Sequence, residues 1–330
     1  MKTNQLHLTL FFLLIISVIS CEKNDDLSSN LKNIDPATGL YDFYLYDVKS
    51  NATTKITSSS DKIESSFSIS PDSKKILYVD ENGINEMNID GSENRILVTK
   101  GGSPCYSPDG NKIAFIFENR LFVINIDGTN KNQICDEDLG LWHPIWSRDG
   151  KYIACNSDNG LCVVSLDGNL KIISSKNSAD WYDWSNDSKE IYYSKFLSNN
   201  FAQIFKYNIL QDEESQISNI DKYNYSPKCN PSSNTILFTS SHADYGGDLI
   251  TCDQDGLSQR VIIHKDMITS PYWSPNGGKI VFVTEESNLA ITDKNGDNYK
   301  TINEIPGACM EPIWSNDGNF ILYYRAIFYN

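Results

Sequence analysis

Seven times along this chain a short phrase recurs, beginning at Ser70, Ser107, Ser147, Ser185, Asn230, Ser274 and Ser315. The clearest copies read YSPDGNKIAF from Tyr106, WSRDGKYIAC from Trp146, WSPNGGKIVF from Trp273 and WSNDGNFILY from Trp314. The copies are spaced by about 41 residues, a period that belongs to solenoids, propellers and arrays. Each phrase ends in a short run of β-branched and aromatic residues, such as Ile113-Ala114-Phe115-Ile116. Gly, Asn, Asp and Ser bound these runs, which is a strand pattern and not a helical one.

A second turn follows in most units, as in Asn88-Ile89-Asp90-Gly91, Asn125-Ile126-Asp127-Gly128 and Ser165-Leu166-Asp167-Gly168. Asp-Gly suits a tight hairpin because the central positions need positive φ. Each unit therefore predicts four antiparallel strands, A to D from the centre outward. The Ser-x-Asp-Gly turn joins A to B, and the second turn joins C to D.

The last phrase is followed by one strand, from Phe320, while the first is preceded by an orphan pair, Tyr41–Tyr46 and Lys55–Thr57. Joining these halves makes one blade from both chain ends and removes exposed strand edges. The expectation is an all-β, seven-bladed propeller over residues 40–330, closed by both termini.

The repeat resembles the TolB-type, WD-like propeller family, whose pattern runs Pro-x-Trp-Ser-Pro-Asp-Gly and then an Ile-Ala-Phe strand. Pro144, Trp146, Ser147, Asp149 and Gly150 carry the resemblance, as do Pro271, Trp273, Ser274 and Pro275, and Pro312, Trp314, Ser315, Asp317 and Gly318. It extends over residues 41–324 and breaks at the fifth copy, where Cys229-Asn230-Pro231-Ser232 replaces the aromatic and the acidic turn. The resemblance implies a propeller, with six blades as the alternative count, since TolB itself pairs a six-bladed propeller with an α/β domain. It implies no single function, because such propellers serve as scaffolds, enzymes and side domains.

Residues 1–20 hold Lys2 and then an apolar stretch from Leu8 to Ile19, the length of a signal peptide. The end, Val18-Ile19-Ser20-Cys21, resembles a bacterial lipobox, which implies cleavage before Cys21 and its acylation. Glu22, Lys23, Asn24, Asp25 and Asp26 resemble the surface-export tag of Bacteroidetes lipoproteins. Residues 21–39 then read as the lipidated Cys and a polar tether. The expected place is the outer membrane of a Gram-negative bacterium, on its periplasmic or its outer side.

The chain carries 43 acidic against 28 basic side chains, a net charge of −15. Nucleic-acid binding rests on Lys and Arg contacts to phosphates, so that class of partner is excluded. Eight cysteines are present, and Cys21 leaves an odd number. Cys105, Cys155, Cys162 and Cys229 align with apolar positions of the repeat, so they read as buried hydrophobes. Cys155 and Cys162 flank one B–C hairpin and are placed to face each other. With no Cys-x-x-Cys in the chain, neither a zinc site nor a redox motif is expected.

The regular A–B and C–D turns share one face of the disc; the variable B–C and D–A loops share the other. Binding residues concentrate on variable loops over a rigid scaffold. The candidates there are Trp142, His143, Trp181, Tyr182, Tyr223, Tyr225, His242, Tyr245, His264 and Glu311. Aromatic platforms beside carboxylates suit a sugar, whose ring face stacks on an indole while its hydroxyls need acceptors. His143, His242 and His264 leave open a metal-dependent lyase or glycoside hydrolase, although they lie in three loops without ligand spacing. No Gly-x-Ser-x-Gly elbow exists. The reading is a monomeric, non-catalytic binding propeller without metal or cofactor, the alternative being a carbohydrate-active enzyme.

Overall fold

The computed structural model describes residues 41–57, 63–135, 139–174, 178–197, 201–219, 222–241, 247–265, 267–302 and 308–326. They form seven four-stranded antiparallel sheets. Blade 1 holds β3 (Ile63–Ile69), β4 (Lys75–Asp80), β5 (Gly83–Asn88) and β6 (Arg95–Thr99). Blades 2 to 6 repeat this order with inner strands β7 (Gly102–Tyr106), β11 (Trp142–Trp146), β15 (Ser178–Trp184), β19 (Tyr223–Cys229) and β23 (Ile268–Trp273). Blade 7 is built from both ends of the chain, in the order β2 (Ala52–Lys55), β1 (Tyr41–Asp47), β28 (Phe320–Ala326) and β27 (Ala308–Trp314). The count is thus seven, and Tyr41 pairs with Ala326 and Asp47 with Phe320 at the two ends of the closing ladder.

The repeated phrase is explained by hydrogen bonds. In six copies the Ser hydroxyl donates to the Asp or Asn side chain two residues on, at 2.6–2.8 Å. The same hydroxyl accepts the backbone N–H five residues on, at 2.9–3.0 Å. Asp72 and Asp109 are held below the ordinary carboxylate range, first of all by the Ser hydroxyls at 70 and 107. Turns of adjacent blades are also tied together: Asp149 N–H donates to Ser188 Oγ and Asp317 N–H to Ser73 Oγ, both at 3.0 Å. The polar atoms of this face are largely spent on one another, as buried and semi-buried polar groups require.

In three copies the tryptophan that opens the phrase joins blades. The indole N–H of Trp146 donates to Cys105 O at 3.3 Å, that of Trp184 to Ile145 O at 3.1 Å, and that of Trp273 to Lys228 O at 3.1 Å. Each acceptor lies on the inner strand of the preceding blade. The fifth copy has Cys229 in this place, and Asp183 supplies the tie instead, accepting the Cys229 N–H at 2.9 Å. The apolar core accordingly lies between blades: Ala114, Leu121 and Val123 of blade 2 pack with Trp146, Ile153 and Cys155 of blade 3. No disulfide joins cysteines among the described residues, and of the seven there all but the half-buried Cys105 are buried. Cys155 and Cys162 stand directly opposite in the ladder, with the Cys162 thiol 3.2 Å from Cys155 O.

Candidate functional site

Each inner strand enters from the variable-loop face and breaks register near its start. In five blades the break coincides with a non-glycine residue in the left-handed region: Ser103 (φ 50°), His143 (49°), Ser226 (54°), Ser270 (49°) and Glu311 (47°). Each is followed by proline, at 104, 144, 227, 271 and 312, which bars the right-handed α region for the residue before it. Bulges of this kind re-aim side chains and bend the strand. They place these residues at the mouth of the central channel, on the face of the variable loops.

On that mouth, between blades 4 and 5, five aromatic rings form one group. Tyr223 and Tyr225 lie on the same side of β19, two residues apart, with centroids 6.1 Å apart and planes within 13°. Trp181 of β15 lies 5.1 Å from Tyr225, tilted by 58°. Phe196 and Phe201, which bracket the B–C loop of blade 4, meet Tyr225 at 6.2 Å and Tyr223 at 5.1 Å, both edge-on. All five keep part of their surface in water, and Phe196 is 38% exposed. Phe196 and Phe201 are not among the sequence candidates. The signal for them is their position at the two ends of that loop.

The other candidates disperse. Trp142 is half-buried and His143 exposed on β11, on the side of blade 4 away from Tyr225. Tyr182, expected on the ligand surface, belongs to the core: it is 2% exposed and packs with Trp184, Ile191 and Tyr193. Alternation along β15 turns it away from Trp181, and its hydroxyl donates to the His143 carbonyl. His264 stands at the outer edge of blade 5, where its Nδ1 lies 2.5 Å from Asp248 Oδ1, while Lys222 Nζ lies 3.3 Å from Asp248 Oδ2. Glu311 lies on blade 7. Burial pushes its carboxyl up to about 7, against the pull of the Tyr324 hydroxyl and the Lys228 ammonium. His242, Tyr245 and Cys21 lie outside the described residues.

His143 and His264 therefore occupy an inner strand and an outer edge two blades apart. Among the described residues no three His, Cys, Asp or Glu side chains are grouped to hold a metal ion. What the site offers is a partly wetted aromatic surface.

No family model matches the chain. An uncharacterized protein of Agrobacterium fabrum is 24% identical over 170 residues, which is 47% of this chain. The chain spans 57% of the length of that relative. A solved structure from Agrobacterium tumefaciens, provisionally named TolB, superposes with a TM-score of 0.60 at 18% identity, over 88% of this chain and 99% of that one. The TolB of Acinetobacter baumannii superposes with a TM-score of 0.51 at 15% identity, over 91% of this chain and 68% of that one. At these identities the likeness is one of fold. With the strand order above, it makes the chain a seven-bladed β-propeller of TolB-like structural similarity.

Proposed function

We propose that this chain is a lipid-anchored propeller of the Gram-negative cell envelope that binds a protein, peptide or glycan without catalysing a reaction on it. The binding surface is the variable-loop mouth between blades 4 and 5. The observation that carries this reading is the group formed by Trp181, Phe196, Phe201, Tyr223 and Tyr225. Clustered aromatics left in water hold the energetics of many recognition surfaces, because they bring a large contact area at small entropic cost. The opposite face is spent on turn-to-turn hydrogen bonds, which supports assigning recognition to this one.

The test is a screen of the full-length protein on arrays of glycans and envelope-derived peptides, followed by affinity measurement on the strongest ligand. Trp181→Ala with Tyr225→Ala is expected to weaken binding by at least about tenfold, since loss of stacked aromatic anchors costs roughly 2 kcal/mol or more. Unchanged affinity in a folded double variant would remove the surface from consideration.

The anchor is proposed on the leader sequence alone. Acylated Cys21 would hold the protein in the outer membrane, where multiple acyl chains give stable attachment. Cys21→Ala is expected to move the protein from the membrane to the soluble fraction and to abolish acyl labelling. Labelling that persists in this variant would refute the assignment.

A further inference from the structure

Each outer strand faces the C–D turn of the next blade across a cleft, and in four clefts a cation closes the gap. Between blades 1 and 2, Glu86 holds Lys75 Nζ at 3.1 Å and Arg95 Nη2 at 2.7 Å, and Arg95 Nη2 donates to Ile126 O at 3.4 Å. Between blades 3 and 4, Lys171 Nζ lies 2.8 Å from Asp212 Oδ1. Between blades 4 and 5, Lys206 Nζ lies 3.4 Å from Glu190 Oε1 and 2.7 Å from Asp255 Oδ1. Between blades 6 and 7, Lys300 Nζ donates to Asn51 Oδ1 at 2.6 Å.

The cleft between blades 2 and 3 lacks this closure. The ladders set Val123 at the register position of Glu86 and Lys206, so an apolar side chain replaces the charge. Lys112 opens the second strand of its blade, as Lys75 and Glu190 open theirs. Among the described residues it makes no ion pair. Across from it, Asp167 stands in the C–D turn of blade 3 where Asp255 stands in that of blade 5. Its carboxylate accepts the Ser165 hydroxyl and the Asn169 amide, but among the described residues no cation pairs with it.

A cavity of about 370 Å³ lies between these groups, lined by Lys112, Val123, Asn132, Ile134, Leu166 and Asp167. Small-molecule sites start at roughly 300 Å³. The side chain missing at Val123 would have supplied an anion for Lys112, as Glu86 does for Lys75, or a cation for Asp167, as Lys206 does for Asp255. A ligand carrying both charges replaces both. A simple anion meets Asp167 and a simple cation meets Lys112, so the pair selects against each. Val123, Ile134 and the 37% exposed Leu166 offer the ligand an apolar wall.

We propose that this cleft binds a small zwitterion, an α-amino acid with an apolar side chain, its carboxylate on Lys112 and its ammonium on Asp167. The site is separate from the aromatic surface, and it stands whether or not that surface binds anything.

The test is calorimetric titration of the full-length protein in neutral detergent with leucine, methionine and phenylalanine. At least one is expected to bind with a stoichiometry of one. 4-Methylpentanoate, which lacks the ammonium, and 3-methylbutylamine, which lacks the carboxylate, are expected to bind at least about tenfold more weakly. Lys112→Met and Asp167→Asn, each with an unchanged melting temperature, are expected to weaken the amino acid by a similar factor. A folded Val123→Glu, which restores the carboxylate of blade 1, is expected to lose binding as well. Lys279→Met, on another blade, and Trp181→Ala, on the aromatic surface, are expected to leave it unchanged. If no amino acid of the three binds, if either single-charge analogue binds as tightly, or if Lys112→Met titrates like the parent, the proposal is overturned.

Discussion

Glu311 shows how much one residue's surroundings decide. Its carboxyl rises from 4.5 to about 7 because burial at the channel mouth outweighs the Tyr324 hydroxyl and the Lys228 ammonium. The folded chain then holds this proton more tightly than the unfolded chain does. Between pH 4.5 and about 7 the native state binds more protons at this site, so its contribution to stability falls as pH rises. The slope is at most about 1.4 kcal/mol per pH unit. Above that window the loss is complete, and below it the penalty is absent. Glu311→Gln removes the titration, so the stability difference between variant and parent is expected to grow in the variant's favour from pH 5 to pH 7. Urea unfolding at both pH values checks this, and parallel slopes would mean that the carboxyl is solvated. The turn aspartates have the opposite sign and titrate at lower pH, so they cancel in the comparison. The sequence places Glu311 among the variable-loop candidates and gives no sign of its shifted carboxyl. Its burial has no local signature in the sequence, although the Tyr324 hydroxyl that opposes the shift comes from the adjacent strand, where Tyr324 pairs with Met310.

At the level of strands and turns, most of the architecture was legible. Hairpin turns demand particular residues, and those residues recur at a fixed spacing. The Ser-x-Asp-Gly bonds confirm why: the motif satisfies its own polar atoms. Legibility failed where strand geometry departs from simple alternation. Tyr182 follows Trp181 among the variable-loop candidates, but adjacent strand residues point to opposite sides, and Tyr182 packs inward. The register breaks of the inner strands left no signature beyond the X-Pro pairs. The departure at Cys229 was visible, but its compensation by Asp183 was not, because that bond joins residues from different blades. The aromatic group was half legible. Trp181, Tyr223 and Tyr225 stood outside the pattern, whereas Phe196 and Phe201 sat at loop ends and looked like ordinary strand residues.

Closure by both ends governs the whole molecule. The chain enters β1 at Tyr41, opposite Ala326, at the variable-loop end of blade 7. It therefore arrives on the same face as the aromatic group. Residues 22–40 reach at most roughly 65 Å when extended, so an acylated Cys21 would tether the disc by its proposed ligand face. The same closing strand carries a large share of the packing. Phe43 is fully buried, and its ring meets Phe67 at 5.2 Å and Tyr78 at 5.8 Å, both edge-on. Tyr41, Phe43 and Leu45 thereby join blade 7 to the core of blade 1. Replacing a buried Phe with Ala typically costs about 3–5 kcal/mol through lost transfer and the cavity left behind. In an open array that loss would fray one terminal unit, since repeats contact only their neighbours. In a closed ring it falls on the seam, and opening the seam exposes the inner edges of two blades at once. Phe43→Ala is expected to lower the stability of the entire propeller while a single cooperative urea transition is kept. Tryptophan fluorescence and far-UV circular dichroism should shift together. Two separated transitions, with the tryptophans of blades 3 and 4 unaffected, would show that the ring does not depend on its seam.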